Sequence, residues 1–130
     1  MITGIGHDMT DVDRIAEAVG GRAGQRFMER VLTEAERKLA SSYSGVRLHG
    51  FVAGRFAAKE AVVKAFGCGI GAVLGFQDVE ILPDANGKPV CTIGEAAWSR
   101  LGLQPEYIRL HLTITHEKSI ASAFAVAERV

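Results

Sequence analysis

One acid and one base stand four residues apart in the run Arg55-Phe-Ala-Ala-Lys-Glu-Ala-Val-Val-Lys64. Helical periodicity puts Glu60 and Lys64 on one face, a turn apart. Ala53 and Ala57 share that face and remove bulk, leaving room for a ligand to approach the backbone. The opposite stripe, Val52, Phe56, Val63 and Phe66, recurs at helical spacing and is expected to face the core. A carboxylate and an ammonium on a buried helix, beside open space, are the makings of a site. The competing reading is a helix-stabilising ion pair worth about 0.3–0.5 kcal/mol.

Asp8 ends an apolar N-terminal segment and stands just before a helix start, so on its own it reads as a cap. Taken with Glu60 it reads differently. Two carboxylates remote in sequence and close to a lysine can hold a hard divalent cation such as Mg²⁺. Such an ion keeps several waters and fills its other positions with substrate phosphates. His116 follows an apolar strand into a turn; it is either a turn histidine or a phosphate donor or proton carrier. Arg47, Arg55 and Lys88 are candidate phosphate contacts. His7, His49 and His111 have no zinc-site spacing, and the glycines from Gly67 to Gly71 do not make a P-loop.

The elements that must position these groups change character along the chain. Met1 to Asp8 reads as a short strand, and Thr10 or Asp11 then caps a helix through Val12, Ile15 and Val19, ended by Gly20-Gly21. A second helix holds Arg26, Phe27, Met28 and Val31. Thr33-Glu-Ala-Glu36 is a capping-box pattern that opens a third. Ser41 to Gly50 reads as polar connection, and the long helix as Phe51 to Phe66. Phe76 to Leu82 and Val90 to Ile93 read as strands around Asn86-Gly87, a turn in which both residues tolerate positive φ. Ala96 to Leu103 is expected as a helix. Ile108 to Thr115 alternates strictly, and a last strand carries Ala121, Ala123, Ala125 and Ala127 on one face, where a helix or another subunit could pack. Helices early and hairpins late predict an α+β fold, an antiparallel sheet packed against a long central helix, in one domain over residues 1–130.

Bulk composition narrows the function classes. Fifteen acidic and fifteen basic residues cancel, which leaves no global field for nucleic acid or a membrane surface. Cys68 and Cys91 lack metal or redox spacing and suit a reducing compartment. With no signal-peptide pattern and no bilayer-length apolar run, a cytoplasmic location is expected.

Three blocks together resemble the holo-[acyl-carrier-protein] synthase family, the short bacterial 4′-phosphopantetheinyl transferases. They are Gly4-Ile-Gly-His-Asp8 with Arg14-Ile15, the central Gly54 to Gly67 segment, and Thr113-Ile-Thr-His116. Phe76 to Ile81 and Asn86-Gly-Lys-Pro89 support the match, whose order and spacing run over nearly the whole chain. His7 departs from the family, which usually has an apolar residue there.

The resemblance implies transfer of the 4′-phosphopantetheine arm of coenzyme A to a serine of apo acyl carrier protein, releasing adenosine 3′,5′-bisphosphate. It further implies Asp8 and Glu60 as Mg²⁺ ligands, Lys64 as charge neutraliser, and His116 at the coenzyme or the reacting region. Arg55, Gly87, Lys88 and Pro89 match segments that contact coenzyme A. Arg14, Arg26 and Phe27 match the surface that receives the acidic carrier. Trimers with sites at subunit boundaries are implied as well. The serine proton can go to water, to Asp8 or Glu60, or to His116; a water-mediated base is favoured, since a carboxylate holding Mg²⁺ is a weakened acceptor. The competing readings are a Mg²⁺-dependent phosphohydrolase of coenzyme A or a related nucleotide, and a non-catalytic carrier-binding module.

Overall fold

The computed structural model describes residues Met1–Val130. A ten-residue strand, β1 (Ile2–Asp11), leads into α1 (Val12–Gly20), α2 (Gly24–Val31) and α3 (Glu34–Ala40). The central helix α4 (Gly45–Ala65) follows, then a hairpin of β2 (Val79–Pro83) and β3 (Pro89–Ile93). The chain closes with α5 (Glu95–Leu101), β4 (Ile108–His116) and β5 (Ile120–Arg129). Strands β1, β5 and β4 form one antiparallel sheet in that order, and β2 with β3 a second. The α+β arrangement, antiparallel sheet against a long central helix, is as expected.

Period two decides which face of the large sheet meets α4. In β1, Gly4, Gly6, Asp8 and Thr10 point toward the helix, while Ile5, His7 and Met9 stay exposed on the other side. The two glycines are a packing requirement. A Cβ at Gly4 would overlap the carbonyl of Ala65, and one at Gly6 the carbonyl of Ala61. Strand and helix backbones therefore touch, which brings Asp8 down onto α4.

Several expectations need correction. The central helix starts at Gly45, not Phe51; Ser41 to Ser44 is connection as read, but Gly45 to Gly50 is the first turn and a half of the helix, where Leu48 packs against the core. Strand β1 runs on past Asp8, and the cap of α1 is Asp11, whose carboxylate accepts from the amides of Asp13 and Arg14. Phe76–Asp78 is a 3₁₀ turn rather than strand. Only Gly87 of the hairpin turn has positive φ, at 82°; Asp84 Oδ1 closes the turn by accepting from the amides of Asn86 and Lys88.

The alanine face of β5 is not free for another subunit. Ala121, Ala123, Ala125 and Ala127 are buried, because small residues let α4 lie across the strand. Ala53 and Ala57 are fully buried too, so the space expected on their face is filled by protein.

The expected core stripe of α4 hides a charge. Lys59 falls between Phe56 and Val63, and its side chain is fully buried. Its Nζ donates to Glu36 Oε1 at 2.6 Å, to the Val31 carbonyl at 2.7 Å and to the Phe76 carbonyl at 2.9 Å. Glu36, equally buried, also accepts from the amides of Thr33 and Ile81. Burial pulls the Lys59 ammonium below the usual lysine range, opposed by the Glu36 charge. Every donor and acceptor is matched, which is the condition for a buried pair to persist. Lys59→Met would leave Glu36 buried without its counter-charge and is expected to cost about 3–5 kcal/mol in urea unfolding. A loss below about 1 kcal/mol would show that water or the two amides suffice for Glu36.

Candidate active site

Asp8 reaches the site from the helix-facing side of β1, three residues before Asp11, which ends the strand and caps α1. Since Asp11 does the capping, Asp8 is released from that duty. Its Oδ1 accepts from Lys64 Nζ at 3.1 Å, and its Oδ2 from the Thr10 hydroxyl at 2.9 Å. Lys64 also donates to the His7 carbonyl at 3.1 Å. The Asp8 carboxylate is largely covered, while the lysine is about half exposed, so the pair contributes less to stability than a buried one would.

Glu60 sits one turn before Lys64 on α4, close enough to feel both charges. Its carboxyl is held above the usual range, first by partial burial and then by the negative charge of Asp8, with Lys64 acting the other way. Asp8, Glu60 and Lys64 thus converge: two carboxylates that repel each other and one ammonium that relieves part of the repulsion. No group of three or more His, Cys, Asp and Glu side chains gathers anywhere in the chain. A pair of hard oxygen donors without a third protein ligand fits Mg²⁺, which leaves coordination positions to water and phosphate.

Beside Asp8 lies a cleft of about 300 Å³ lined by Thr10, Arg14, Ile15, Phe27 and Phe56 among others. Two of the three expected carrier-contact residues, Arg14 and Phe27, therefore border the carboxylate. The third, Arg26, is exposed on the neighbouring surface of α2. Phe56 was expected in the core stripe. It packs against the core and also borders the cleft, one turn before Glu60, its ring 6.5 Å from that of Phe27 and 5.3 Å from that of Phe76.

The other expected coenzyme contacts lie elsewhere on the chain. His116 packs its ring over Gly50, where a Cβ would stand 3.3 Å from the imidazole. Gly50 precedes Glu60 by ten residues of α4, about 15 Å of helix. His116, Arg55, Arg47 and Tyr43 line a separate pocket of about 280 Å³. Arg55 is fixed there by its Nε donating to the Ile81 carbonyl at 3.0 Å and by stacking over Phe51. Burial lowers the Arg55 pKa, opposed by Glu36 and then Tyr43. Gly87 and Lys88 are exposed at the hairpin tip, and Pro89 begins β3. His7 points away from Asp8, as strand neighbours must, and stacks on Phe124 at 4.1 Å between centroids.

Sequence reasoning missed Thr10 as a partner of Asp8 and Phe56 as a wall of the cleft. The signal for Thr10 was present: residues two apart in a strand share a face, so Asp8 and Thr10 had to be neighbours.

Comparison with known proteins now decides the family. The model of the ACPS family, described as the 4′-phosphopantetheinyl transferase superfamily, matches residues 4–125. The chain belongs to this family. It is 47% identical to the holo-[acyl-carrier-protein] synthase of Bacillus subtilis, across 100% of this chain and 98% of that protein. Among solved structures, holo-(acyl-carrier-protein) synthase from Bacillus anthracis in complex with CoA (3′,5′-ADP) superposes with a TM-score of 0.85 at 42% identity, covering 100% of this chain and 99% of that one. The Helicobacter pylori enzyme in complex with coenzyme A gives 0.81 at 30% identity, covering 95% and 99%. These relatives share the whole fold, not a fragment of it.

The electrostatics of Glu60 make one consequence measurable. A carboxyl whose pKa is higher folded than unfolded favours the folded state at low pH and loses that advantage as pH rises from about 4.5 through the raised value. Glu60→Gln removes the charge. It should raise the melting temperature of the metal-free protein at neutral pH, with the gain vanishing as pH falls through that window. An unchanged or lowered melting temperature at neutral pH would mean that Lys64 outweighs burial and Asp8 together at Glu60.

Proposed function

We propose that this chain transfers the 4′-phosphopantetheine group of coenzyme A to a serine hydroxyl of apo acyl carrier protein, as one transferase domain over residues 1–130. The observation that carries the reading is the meeting of Asp8, Glu60 and Lys64, from opposite ends of a strand–helix contact, in a member of this transferase family. Coenzyme A as co-substrate is supported by the two relatives solved with it.

In this reading Asp8 and Glu60 hold Mg²⁺, which when bound neutralises the pyrophosphate and orients it for in-line attack. Lys64 turns its ammonium from Asp8 to the phosphate oxygens. The serine oxygen forms a bond to the β-phosphorus of coenzyme A as the bridging P–O bond breaks, and adenosine 3′,5′-bisphosphate leaves with that electron pair. The serine proton passes to a water beside the carboxylates. Arg14, Arg26 and Phe27 present the carrier, with Phe27 and Phe56 as the apolar wall next to Asp8. Positioning and charge stabilisation supply most of the rate in chemistry of this type.

Arg55, His116, Gly87, Lys88 and Pro89 bind coenzyme A, and in a homotrimer they do so for a neighbouring protomer's carboxylates. Two observations support that assembly. The Arg55–His116 pocket and the Asp8–Glu60 pair lie apart on one chain, and the outer sheet face leaves Ile5 62%, Met9 59% and Phe124 47% exposed. The protein works in the cytoplasm, where its two cysteines stay free; no helix is long and apolar enough to cross a membrane.

Incubation with coenzyme A, Mg²⁺ and an apo carrier protein should add the phosphopantetheine mass to the carrier. Glu60→Ala should lower that rate about 10²-fold or more while carrier binding persists. Free phosphopantetheine with unmodified carrier would instead establish a hydrolase, and carrier binding with neither product formed would leave the chain as a carrier-binding module; full activity in Glu60→Ala would remove Glu60 from the site. For the assembly, sedimentation should give three times the 13.9 kDa chain mass. Co-expressed Glu60→Ala and Arg55→Ala chains should then recover activity that neither has alone. A monomer at working concentration would overturn it.

A further inference from the structure

Asp8 can serve a cation only if one of its oxygens is presented in a fixed direction, and the chain contains a device for that. Thr10 lies two residues on in β1, so strand geometry places its side chain on the same helix-facing side. It is 8% exposed and paired through the backbone with Ala121, the buried start of the alanine face. Its hydroxyl donates to Asp8 Oδ2 at 2.9 Å and makes no other hydrogen bond. Lys64 takes Oδ1 from the opposite side.

The two donors differ in kind. Lys64 is a long chain, about half exposed, able to swing away. Thr10 is short, buried and stiff at χ1. One oxygen is therefore held by a fixed partner and the other by a removable one. We infer that Thr10 is a positioning residue for the transfer reaction: it locks the Asp8 carboxylate plane through Oδ2 so that Oδ1 is presented to the cation when Lys64 moves to the phosphates.

This rests on the assignment of Asp8 as a cation ligand, and the test separates the two. Thr10→Val keeps the shape and deletes the donor, Thr10→Ser keeps the donor, and Asp8→Asn removes the carboxylate charge. Mn²⁺ binding is read by electron paramagnetic resonance on the coenzyme A complex without carrier, beside KM for Mg²⁺, kcat and the metal-free melting temperature. Thr10→Val is expected to weaken Mn²⁺ binding about tenfold and to raise KM for Mg²⁺ similarly, within the range for partners of metal ligands. Its kcat at saturating Mg²⁺ should stay near the parent value, and Thr10→Ser should restore binding. A purely structural threonine would lower the melting temperature and leave Mn²⁺ affinity untouched. If Thr10→Val binds Mn²⁺ within twofold of the parent while Asp8→Asn does not, the positioning role is overturned and the metal assignment stands. If Asp8→Asn also binds normally, both fall. Should Thr10→Val not fold, Thr10→Ala is measured in its place, with the same outcomes.

Discussion

The elements around the central helix are held in register by the ammonium of Lys59. A lysine with no water around it must find its partners within the protein, and Lys59 finds three. Those partners are the carbonyl ending α2, the acid of the α3 capping box, and the carbonyl opening the 3₁₀ turn before β2. Glu36 extends the tie to the amide of Ile81. Four separate elements are thereby pinned to one turn of α4. Such a pair seldom increases net stability over apolar packing, but any rearrangement that strands either charge is costly. Its value here is geometric.

Glu60 is the next residue, rotated by about 100° around the helix. With Lys59 locked inward, Glu60 has to emerge toward β1 and α1. The same turn that anchors the core therefore aims the carboxylate. Asp8 arrives through a different constraint. Gly4 and Gly6 lack side chains, so β1 rests directly on the carbonyls of α4, and the next inward position along the strand delivers Asp8 beside Lys64. Neither constraint concerns catalysis by itself. Together they bring two like charges close, which a chain would avoid without a use for the repulsion. The Glu60 carboxyl is held above its usual range first by partial burial and then by the Asp8 charge.

The second group of expected ligand contacts is equally well built but elsewhere. Arg55 is stiffened by stacking on Phe51 and by the β2 carbonyl, and His116 by close packing over Gly50. The cost of burying part of an arginine is visible in its lowered pKa. A preorganised guanidinium of this kind suits anionic ligands, and the pocket it shares with His116 lies apart from the Asp8 cleft on the same chain.

Local patterns in the chain determined a good deal. The Thr33–Glu36 capping box, the strict alternation of β4, the α5 helix and the Glu60–Lys64 face all follow from rules that act within a few residues, and all appear in the structure. The motif blocks also determined the family, because their order along the chain is itself information. Errors came where long-range packing outvotes local preference. The start of α4 at Gly45 depends on the core that Leu48 joins, the face of Ala53 and Ala57 read as open space although it is buried, and only the fold chose a helix over another subunit as the cover of the β5 alanines. Lys59 sat in an apolar stripe as a visible anomaly, yet its partners are 17 to 28 residues away. That Asp8 and Glu60 meet, and that His116 does not join them within one chain, was decided only by tertiary structure. Sequence spacing governs which groups share a face of one element; the distance between two elements is set by the side chains, or their absence, in the layer between them.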